Sequence, residues 1–304
     1  MADTGLEDRA HAQADRGRKG RGGRGGRGGG GGGAMGREVL VSKALSRLLR
    51  HQAENAGLKL DEGGYTELDK VMAWQPIRSL NVTFADIQTA VSDNAKQRFS
   101  MKPNPATNPS LSESSTDPSH YLIRANQGHS IAVANEGLLT PVTLEAANVP
   151  AEVVHGTYFC FWDAIVASGG LKVMGRNHVH CSTGLPGEVG GVISGMRRDA
   201  ELLVYIDVER SLKDGALQWW LSDNGVVLTE GDAEGLVPLK YFREVRGRTV
   251  DVGVLVKDGE LVGELPEGIK KVVREGRGVR GEGVEEAGAE VGASSGVWLL
   301  ALLA

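Results

Sequence analysis

The stretch "LSRLLRHQAENAGL", residues 45–58, decides how the first half of the chain folds. Its apolar residues recur at the three- and four-residue spacing of an amphipathic helix, with Leu45 and Leu48 on one face. Arg50 lies on the opposite, polar face, and His51 lies at the boundary between the two. This adjacent cationic pair has two interpretations, an ordinary solvated helix face or one wall of a phosphate site, and the helix alone does not decide between them.

The residues after this stretch predict two more helices. Gly57 is expected to end the first helix, because glycine readily adopts the left-handed conformation of a helix C-terminus. The segments "TELDKVMAW" (66–74) and "TFADIQTAVSDN" (83–94) each begin with threonine, and each threonine is predicted to be an N-cap.

A strand pair is predicted around "KQRFSM" (96–101) and "HYLIRANQGHS" (120–130). A Pro-, Ser- and Asn-rich insertion at 102–119 separates the two strands and is expected to form an exposed loop. Together with the preceding helices, this pattern predicts a small winged-helix-like lobe over residues 37–140.

A second lobe is predicted over residues 150–245, built from short strands and one helix. The runs "VVHGTYF", "HVHCST" and "ELLVYIDV" are typical strands, and "LQWWLSDNGVVLTE" predicts a hairpin that turns at Asn224-Gly225. The run "FCFWDAIVASGG" predicts a helix ended by glycine. Alternating βαβ signals are missing, so the lobe is not a doubly wound fold. Trp219 and Trp220 are interpreted as core residues, because consecutive strand residues face opposite sides.

Both ends of the chain are predicted to be disordered. Residues 1–36 carry RGG repeats, which bury no core and give a loose grip on RNA or serve only as a flexible tail. Residues 246–304 are rich in Gly, Glu and Val, and are expected to be largely disordered. The final run "VWLLALLA" is too short to span a bilayer, and the polar N-terminus does not resemble a signal peptide.

The composition of the whole chain limits the possible functions. Its 304 residues suit two modest domains plus tails, and a net charge of −5 gives no overall attraction to nucleic acid. With only two cysteines and no CxxC motif, the chain predicts a reducing compartment and no metal site. We therefore expect an intracellular protein, cytoplasmic or nuclear, without a membrane anchor.

At this point the sequence resembles a known family, the NAD-dependent RNA 2'-phosphotransferases. The resemblance runs from about Val41 to Phe242 and depends on motifs that occur in order: "LSRLLRH", "KQRF", "LIRANQGHS", "VHGTYF", "HVHCS", "GLPGEVGGVISGMR", "LVYID" and "LSDNGVVLT". It implies an α+β fold in which a winged-helix-like lobe precedes a mixed α/β lobe similar to ADP-ribosyltransferases.

The resemblance also implies a two-step reaction with NAD as co-substrate and without a metal. The 2'-phosphate at a splice junction of tRNA attacks the nicotinamide ribose of NAD and releases nicotinamide. The neighbouring ribose hydroxyl then attacks the phosphate. The products are RNA with a free 2'-hydroxyl and ADP-ribose 1'',2''-cyclic phosphate.

The family's catalytic residues correspond to Arg50, His51, Arg124 and Arg197 of this chain. The planar guanidinium of arginine suits a dianionic phosphate because it can donate two parallel hydrogen bonds. A histidine titrates near neutral pH and can bind the phosphate or carry a proton. Arg198 competes with Arg197 for the last position, although the "GMR" spacing favours Arg197.

The resemblance assigns NAD binding to residues of "VHGTYF" and "HVHCS". Gly156 would let the backbone approach the nicotinamide amide, and His155 and Thr157 would bind ribose. His180 matches the middle position of the transferase triad, and Ser182 lies just after it. For each of them, an ordinary role in a sheet is the alternative.

Five further residues are candidates for contact with the RNA. They are Lys96 and Arg98 in "KQRF", and Asn126, Gln127 and His129 in "RANQGHS". For the last three the alternative is to order the hairpin beside Arg124, and this ordering role is slightly favoured over contact with RNA.

Two other functions remain open from the sequence. One is an ADP-ribosyltransferase that modifies nucleic-acid phosphates or protein, and the other is a non-catalytic RNA-binding module led by the RGG repeats. The absence of an evident glutamate in "LSDNGVVL" disfavours protein modification, and the full set of arginines disfavours the binding module. The expected partner is tRNA or another RNA with an internal 2'-phosphate, bound by a monomer.

Overall fold

A computed structural model of the chain describes residues 32–93, 96–185, 195–197 and 199–269. It contains helices and antiparallel sheets, in agreement with the predicted α+β class. The α-helices are α1 (Gly32–Arg47), α2 (Leu68–Ala73), α3 (Gln75–Arg78), α4 (Phe84–Ser92), α5 (Asn135–Leu138), α6 (Trp162–Ala167) and α7 (Val208–Lys213). The strands are β1 (Thr66–Glu67), β2 (Phe99–Pro103), β3 (Tyr121–Ala125), β4 (Thr140–Val142), β5 (Val154–Thr157), β6 (Gly170–Lys172), β7 (Val179–Cys181), β8 (Leu202–Ile206), β9 (Trp219–Leu221), β10 (Val227–Thr229), β11 (Leu236–Pro238), β12 (Phe242–Gly247), β13 (Val254–Lys257) and β14 (Glu260–Leu261).

The stretch that carries the Arg-His pair is helical but differs in form from the prediction. The α-helix begins earlier, at Gly32, and continues after Arg47 as a π-helical turn, Leu48–Gln52, which contains the pair. Gly57 ends the helical path as expected: its φ is +72°, and the N–H of Leu58 donates to the carbonyl of Ala53 across it. Helical order therefore starts within the segment predicted to be a disordered tail.

An ion pair fixes α1 to α4 and so orients the helix. The guanidinium of Arg37 donates to both carboxylate oxygens of Asp86, at 3.2 and 2.8 Å. These hydrogen bonds hold the pKa of Asp86 far below its usual range. Thr83 caps α4 as predicted, in a reciprocal capping box with Asp86. The prediction for Thr66 was wrong, because Thr66 lies in β1 and Glu67 precedes α2.

The first core packs these helices against a three-stranded sheet in the order β1-β3-β2. Strands β2 and β3 form the predicted antiparallel pair, with Ser100 opposite Arg124, and the insertion connects them. One face of the sheet, which includes Phe99 and Ile123, is buried against Leu45 and Leu48 of the helical path. Because side chains alternate along a strand, Arg124 lies on the other face.

The second core contains a four-stranded sheet, β4-β9-β10-β7, and a five-stranded sheet, β14-β13-β12-β8-β5. A bridge between Val154 and Ser182 joins β5 to β7 and brings the two sheets together. The hairpin of β9 and β10 turns at Gly225, whose φ is +75°, as predicted. Trp219 and Trp220 are both buried, in separate apolar clusters, as expected for neighbouring residues of a strand.

The sheets of the second core include strands outside residues 150–245. Strand β4, at 140–142, pairs with β9, so this core includes residues before 150. Strands β13 and β14 lie in the segment 246–304, which was expected to be largely disordered. Leu255 and Val256 of β13 are fully buried, and their burial explains the order of a segment with a high content of glycine and charge. Residues 1–31 and 270–304 lie outside the described part.

No helix in the described part of the chain has both the length and the apolar character to cross a membrane.

Candidate active site

Arg50 and His51 are held by the loop that follows β3. The N–H of Ser130 donates to the carbonyl of Arg50 at 3.0 Å, and the Ser130 hydroxyl is 2.8 Å from His51 Nδ1. Gly128 lies beneath the Arg50 side chain: a Cβ at this position would be 3.4 Å from Nη1. Its φ of +87° also favours glycine. The motif "QGHS" therefore serves as a support for the pair.

Arg124 is buried on β3, with 7% of its surface exposed. Its Nη1 donates to the carbonyl of Gly63 at 2.9 Å, and its Nη2 forms an ion pair with Asp223. The guanidinium carbon lies 4.7 Å from the centre of the Tyr65 ring. Its Nε is buried and has no hydrogen-bond partner among the described residues.

His129 connects Arg124 to the Arg-His pair. Its pKa is lowered to about 3, first by burial and then by the positive charges of Arg50, His51, His178 and Arg124. His129 lies between Gly128, which packs against the Arg50 side chain, and Ser130, whose N–H donates to the Arg50 carbonyl and whose hydroxyl is 2.8 Å from His51 Nδ1. The structure thus brings three of the four predicted catalytic residues together.

Two histidines lie where β5 meets β7. His155 Nδ1 is 2.9 Å from the carbonyl of His180, and His180 Nδ1 is 2.9 Å from the carbonyl of His178. A carbonyl only accepts, so both Nδ1 atoms carry the proton. The pKa of His180 is well below its ordinary value, because of burial and the nearby charges of Arg176, His178 and Arg50. Its Nε2 is therefore a buried acceptor, without a partner in the described part.

Arg197 lies against the same pair of strands. Its guanidinium carbon is 5.3 Å from the centre of the Tyr158 ring. The preceding Met196 covers Gly156, where a Cβ would come within 2.6 Å of Met196 Cγ. The contacts thus place Arg197 on the predicted NAD-binding side. Arg198 and most of "GLPGEVGG" lie outside the described residues.

The remaining residues assigned to NAD binding have structural partners. Gly156 is needed for close packing under Met196, so a backbone approach to a ligand is not required to explain it. Thr157 is buried, and its carbonyl accepts the N–H of Glu201 at 2.8 Å. The hydroxyl of Ser182, also buried, donates to the carbonyl of Gly184. Of this group, His180 keeps a buried atom for a ligand, its Nε2, which has no partner in the described part of the chain.

Some of the residues that were candidates for RNA contact form hydrogen bonds that order the hairpin instead. Asn126 accepts from Ser100 at 2.7 Å and donates to the carbonyl of Gln97 at 2.8 Å, in agreement with the ordering role. The carbonyl of Arg98 accepts the N–H of Asn126, and that of Lys96 accepts from Asn224 Nδ2 at 2.9 Å.

Gln127 is buried, and its Oε1 has no hydrogen-bond partner in the described ranges. His129 Nε2 shares this property. Buried polar atoms are usually paired, so these two atoms, together with Arg124 Nε, remain for a ligand.

Sequence reasoning missed four residues of this site: Gly63, Tyr65, His178 and Asp223. The first two lie in "DEGGY" (61–65), whose paired glycines indicate only a turn, and Asp223 lies in a turn that Asn224-Gly225 is enough to explain. A signal did exist for His178, because the i, i+2 spacing in "HVH" puts two rings on one side of an extended segment. Within the described ranges, no group of three or more His, Cys, Asp or Glu side chains could hold a metal ion.

A model of the "RNA 2'-phosphotransferase, Tpt1 / KptA family" matches residues 36–231. The chain is 41% identical to tRNA 2'-phosphotransferase 1 of Danio rerio over 206 residues, which are 68% of this chain and 84% of that protein. Identity to the Homo sapiens protein of the same name is 39% over 208 residues, covering 68% and 75%.

A more distant relative is the tRNA 2'-phosphotransferase of Saccharomyces cerevisiae, 35% identical over 211 residues, or 69% of this chain and 84% of that protein. The matched region includes the helix with the Arg-His pair, both "RANQGHS" and "HVHCS", and the turn with Asp223. The chain therefore belongs to the RNA 2'-phosphotransferase family.

Proposed function

We propose that this protein is an NAD-dependent tRNA 2'-phosphotransferase, which transfers the splice-junction 2'-phosphate of RNA to NAD. One observation carries the proposal: the loop that holds Arg50 and His51 is hydrogen-bonded to the segment that enters β7. The N–H of Asn177 donates to the carbonyl of His129 at 3.0 Å, and Asn177 Nδ2 donates to the carbonyl of Ile131 at 2.8 Å. His129 belongs to the cationic cluster of the first core, and His180 belongs to β7 of the second. A phosphate bound at Arg50 would therefore be next to the strands predicted to bind NAD.

The cationic cluster suits a phosphate dianion. Arg124 has a buried Nε–H without a partner in the described part, and Arg50 lies in the same neighbourhood. Donors that are fixed before the substrate arrives stabilise charge on the transferring phosphoryl group without reorganisation. His51, oriented through Ser130, is the residue proposed to bind the phosphate or carry a proton.

The β5–β7 side suits the ribose of NAD. His180 Nε2 is a buried acceptor, and a ribose hydroxyl is a donor of the required kind. NAD supplies an electrophilic ribose carbon whose bond to nicotinamide breaks as the bond to the phosphate oxygen forms. Arg197, on this side, is proposed to hold the phosphate after this transfer, when the neighbouring hydroxyl attacks it.

The test uses the full chain, NAD and an RNA oligonucleotide with one internal 2'-phosphate. We expect free nicotinamide, ADP-ribose 1'',2''-cyclic phosphate and RNA with a 2'-hydroxyl at that position. Reactions without NAD, and with the 2'-hydroxyl oligonucleotide, are the controls. Retention of the 2'-phosphate in the presence of NAD would refute the proposal, and ADP-ribose left permanently on the RNA would support the transferase alternative.

A variant separates the two steps. Arg197→Ala is expected to accumulate RNA that carries ADP-ribose on its 2'-phosphate, because Arg197 is proposed to stabilise the phosphoryl group while the neighbouring ribose hydroxyl attacks it. The control is Arg210→Ala, which removes an exposed arginine of α7. Normal turnover in Arg197→Ala would contradict the assignment, and the same accumulation in Arg198→Ala alone would transfer the role to that residue.

A monomeric state and an intracellular location remain predictions from the sequence.

A further inference from the structure

The surroundings of Arg124 contain a carboxylate that the proposed reaction does not use. The Arg124 side chain extends from β3 of the first sheet and is 8% exposed, whereas its partner Asp223 lies in the β9–β10 turn of the second core and is 49% exposed. A buried guanidinium without a counter-charge is costly, and other positive groups lie close by. Asp223 therefore neutralises Arg124 from across the boundary between the cores.

The contacts of Arg124 engage both terminal nitrogens of its guanidinium and leave Nε without a partner in the described part of the chain. Nη1 is engaged by the carbonyl of Gly63, and Nη2 is engaged by Asp223. The ring of Tyr65 lies 4.7 Å from the guanidinium carbon. A guanidinium has five N–H donors, and here one on each terminal nitrogen is engaged. These two contacts fix the plane of the group, so its Nε–H has a fixed direction. This Nε is buried and has no hydrogen-bond partner among the described residues.

The turn that presents Asp223 is itself rigid. The hydroxyl of Ser222 donates to Asn224 Oδ1 at 2.7 Å, and Asn224 Nδ2 donates to the carbonyl of Lys96 at 2.9 Å. Gly225, with a φ of +75°, closes the turn. Thus two consecutive side chains of one turn, Asp223 and Asn224, reach across to the first core. This second contact fixes the carboxylate relative to Arg124.

We propose that Asp223 is a positioning residue, which orients the Arg124 guanidinium so that its Nε–H faces the RNA 2'-phosphate. The inference rests on the proposed function for the identity of the phosphate. Asp223 acts through Arg124 and does not itself contact the reacting atoms. Selectivity for RNA with a 2'-phosphate over RNA with a 2'-hydroxyl depends on the orientation of Arg124, and hence on Asp223.

The experiment measures this selectivity by binding, without NAD. Two oligonucleotides of one sequence are used, with a single internal 2'-phosphate or with the 2'-hydroxyl, and the ratio of their affinities is determined. Asp223→Asn keeps the shape but removes the charge, Asp223→Ala removes both, and Asp223→Glu restores the charge. The control Glu209→Ala breaks an exposed ion pair with Lys213 on α7.

We expect Asp223→Asn and Asp223→Ala to lower the affinity ratio roughly tenfold or more, the range for loss of a group that orients a ligand. Asp223→Glu should recover part of the loss, and Glu209→Ala should equal wild type. In an Arg124→Ala background, Asp223→Ala should cause no further loss, because Asp223 acts through Arg124. In turnover assays, the Asp223 variants should lower kcat/KM to a similar degree.

Four outcomes would overturn the inference. Three of them are an unchanged affinity ratio in Asp223→Ala, an equal loss of the ratio in Asp223→Ala and Asp223→Glu, and a further loss when Asp223→Ala is added to Arg124→Ala. The fourth is an increased affinity ratio in Asp223→Asn, since the carboxylate would then compete with the phosphate. The proposed function fails separately, if wild type does not remove the 2'-phosphate with NAD. The affinity ratios still decide the role of Asp223 in that case.

Discussion

Burial of His129 makes a quantitative prediction about stability and pH. The ring lies among positive groups at 3% exposure, and its pKa is lowered from 6.5 to about 3. Between these values the unfolded chain binds a proton at His129, whereas the folded chain does not. The unfolded state thus binds more protons, so the stability contributed by this histidine is fully present above pH 6.5 and is lost as the pH falls toward 3.

The size of the effect follows from the shift. Each pH unit between the two pKa values changes the free energy of unfolding by about 1.4 kcal/mol. Lowering the pH from 7 to 5 crosses about 1.5 units of this window, so His129 should account for a loss of about 2 kcal/mol. His178 and His180, whose pKa values are also lowered by burial, act in the same direction.

The assay compares urea unfolding of wild type and His129→Gln at pH 7, 6 and 5, followed by tryptophan fluorescence. The variant lacks the titrating ring but keeps every other histidine, so those contributions cancel in the difference. Its free energy of unfolding should decrease by about 2 kcal/mol less than that of wild type over this interval. His129→Asn is the matched control for side-chain size and should give the same difference. Parallel stability curves for wild type and both variants would refute the reasoning.

Substitution of either of two glycines by alanine should lower both stability and function. Gly156→Ala brings a Cβ within 2.6 Å of Met196 Cγ, which should cost about 1–3 kcal/mol in thermal unfolding and slow nicotinamide release by displacing the adjacent segment; full activity would show that the packing adapts. Gly128→Ala should cost about 1–2 kcal/mol because of its positive φ, and should also weaken 2'-phosphate binding by shifting Arg50. Gly215→Ala, which has a positive φ but open space, should lose only the stability, and an equal loss of binding would contradict the role of the contact.

Local patterns in the sequence predicted most of the elements correctly. The β2–β3 pair, the hairpin with Asn224-Gly225 and the cap at Thr83 each depend on a few neighbouring residues. Such signals lie within one stretch of chain and need no tertiary contact to be recognised. The end of the first helix at Gly57 was predictable for the same reason.

Two predictions failed for different reasons. The run "VLVKDGEL" (254–261) carries a local hairpin signal that the composition of its segment obscures: Asp258 and Gly259, both at positive φ, connect β13 to β14 in a two-residue turn. Thr66 has the residue type of an N-cap, but pairing with Ile123 places it in a strand. For Thr66, tertiary packing overrides local preference.

In the candidate site, too, local motifs were visible in the sequence whereas contacts between distant segments were not. Each arginine is a prediction from its motif, but the neighbours that hold Arg124 come from two separate segments, one with Gly63 and Tyr65 and the other with Asp223. No spacing along the chain relates residue 63 to residue 223. Only the fold reveals that one turn of the second core supplies the counter-charge for a strand of the first.

This arrangement has a physical reason that extends beyond a single ion pair. A site built for a dianion gathers positive charge, which destabilises the folded protein while the site has no anion. The fold limits that cost in two ways: burial keeps His129 and His180 neutral, and Asp223 supplies one negative charge to Arg124. Because Asp223 is half-exposed and engages only Nη2, it neutralises the arginine without covering the buried Nε–H. The same carboxylate can therefore stabilise the protein before the substrate binds and direct the guanidinium when it does.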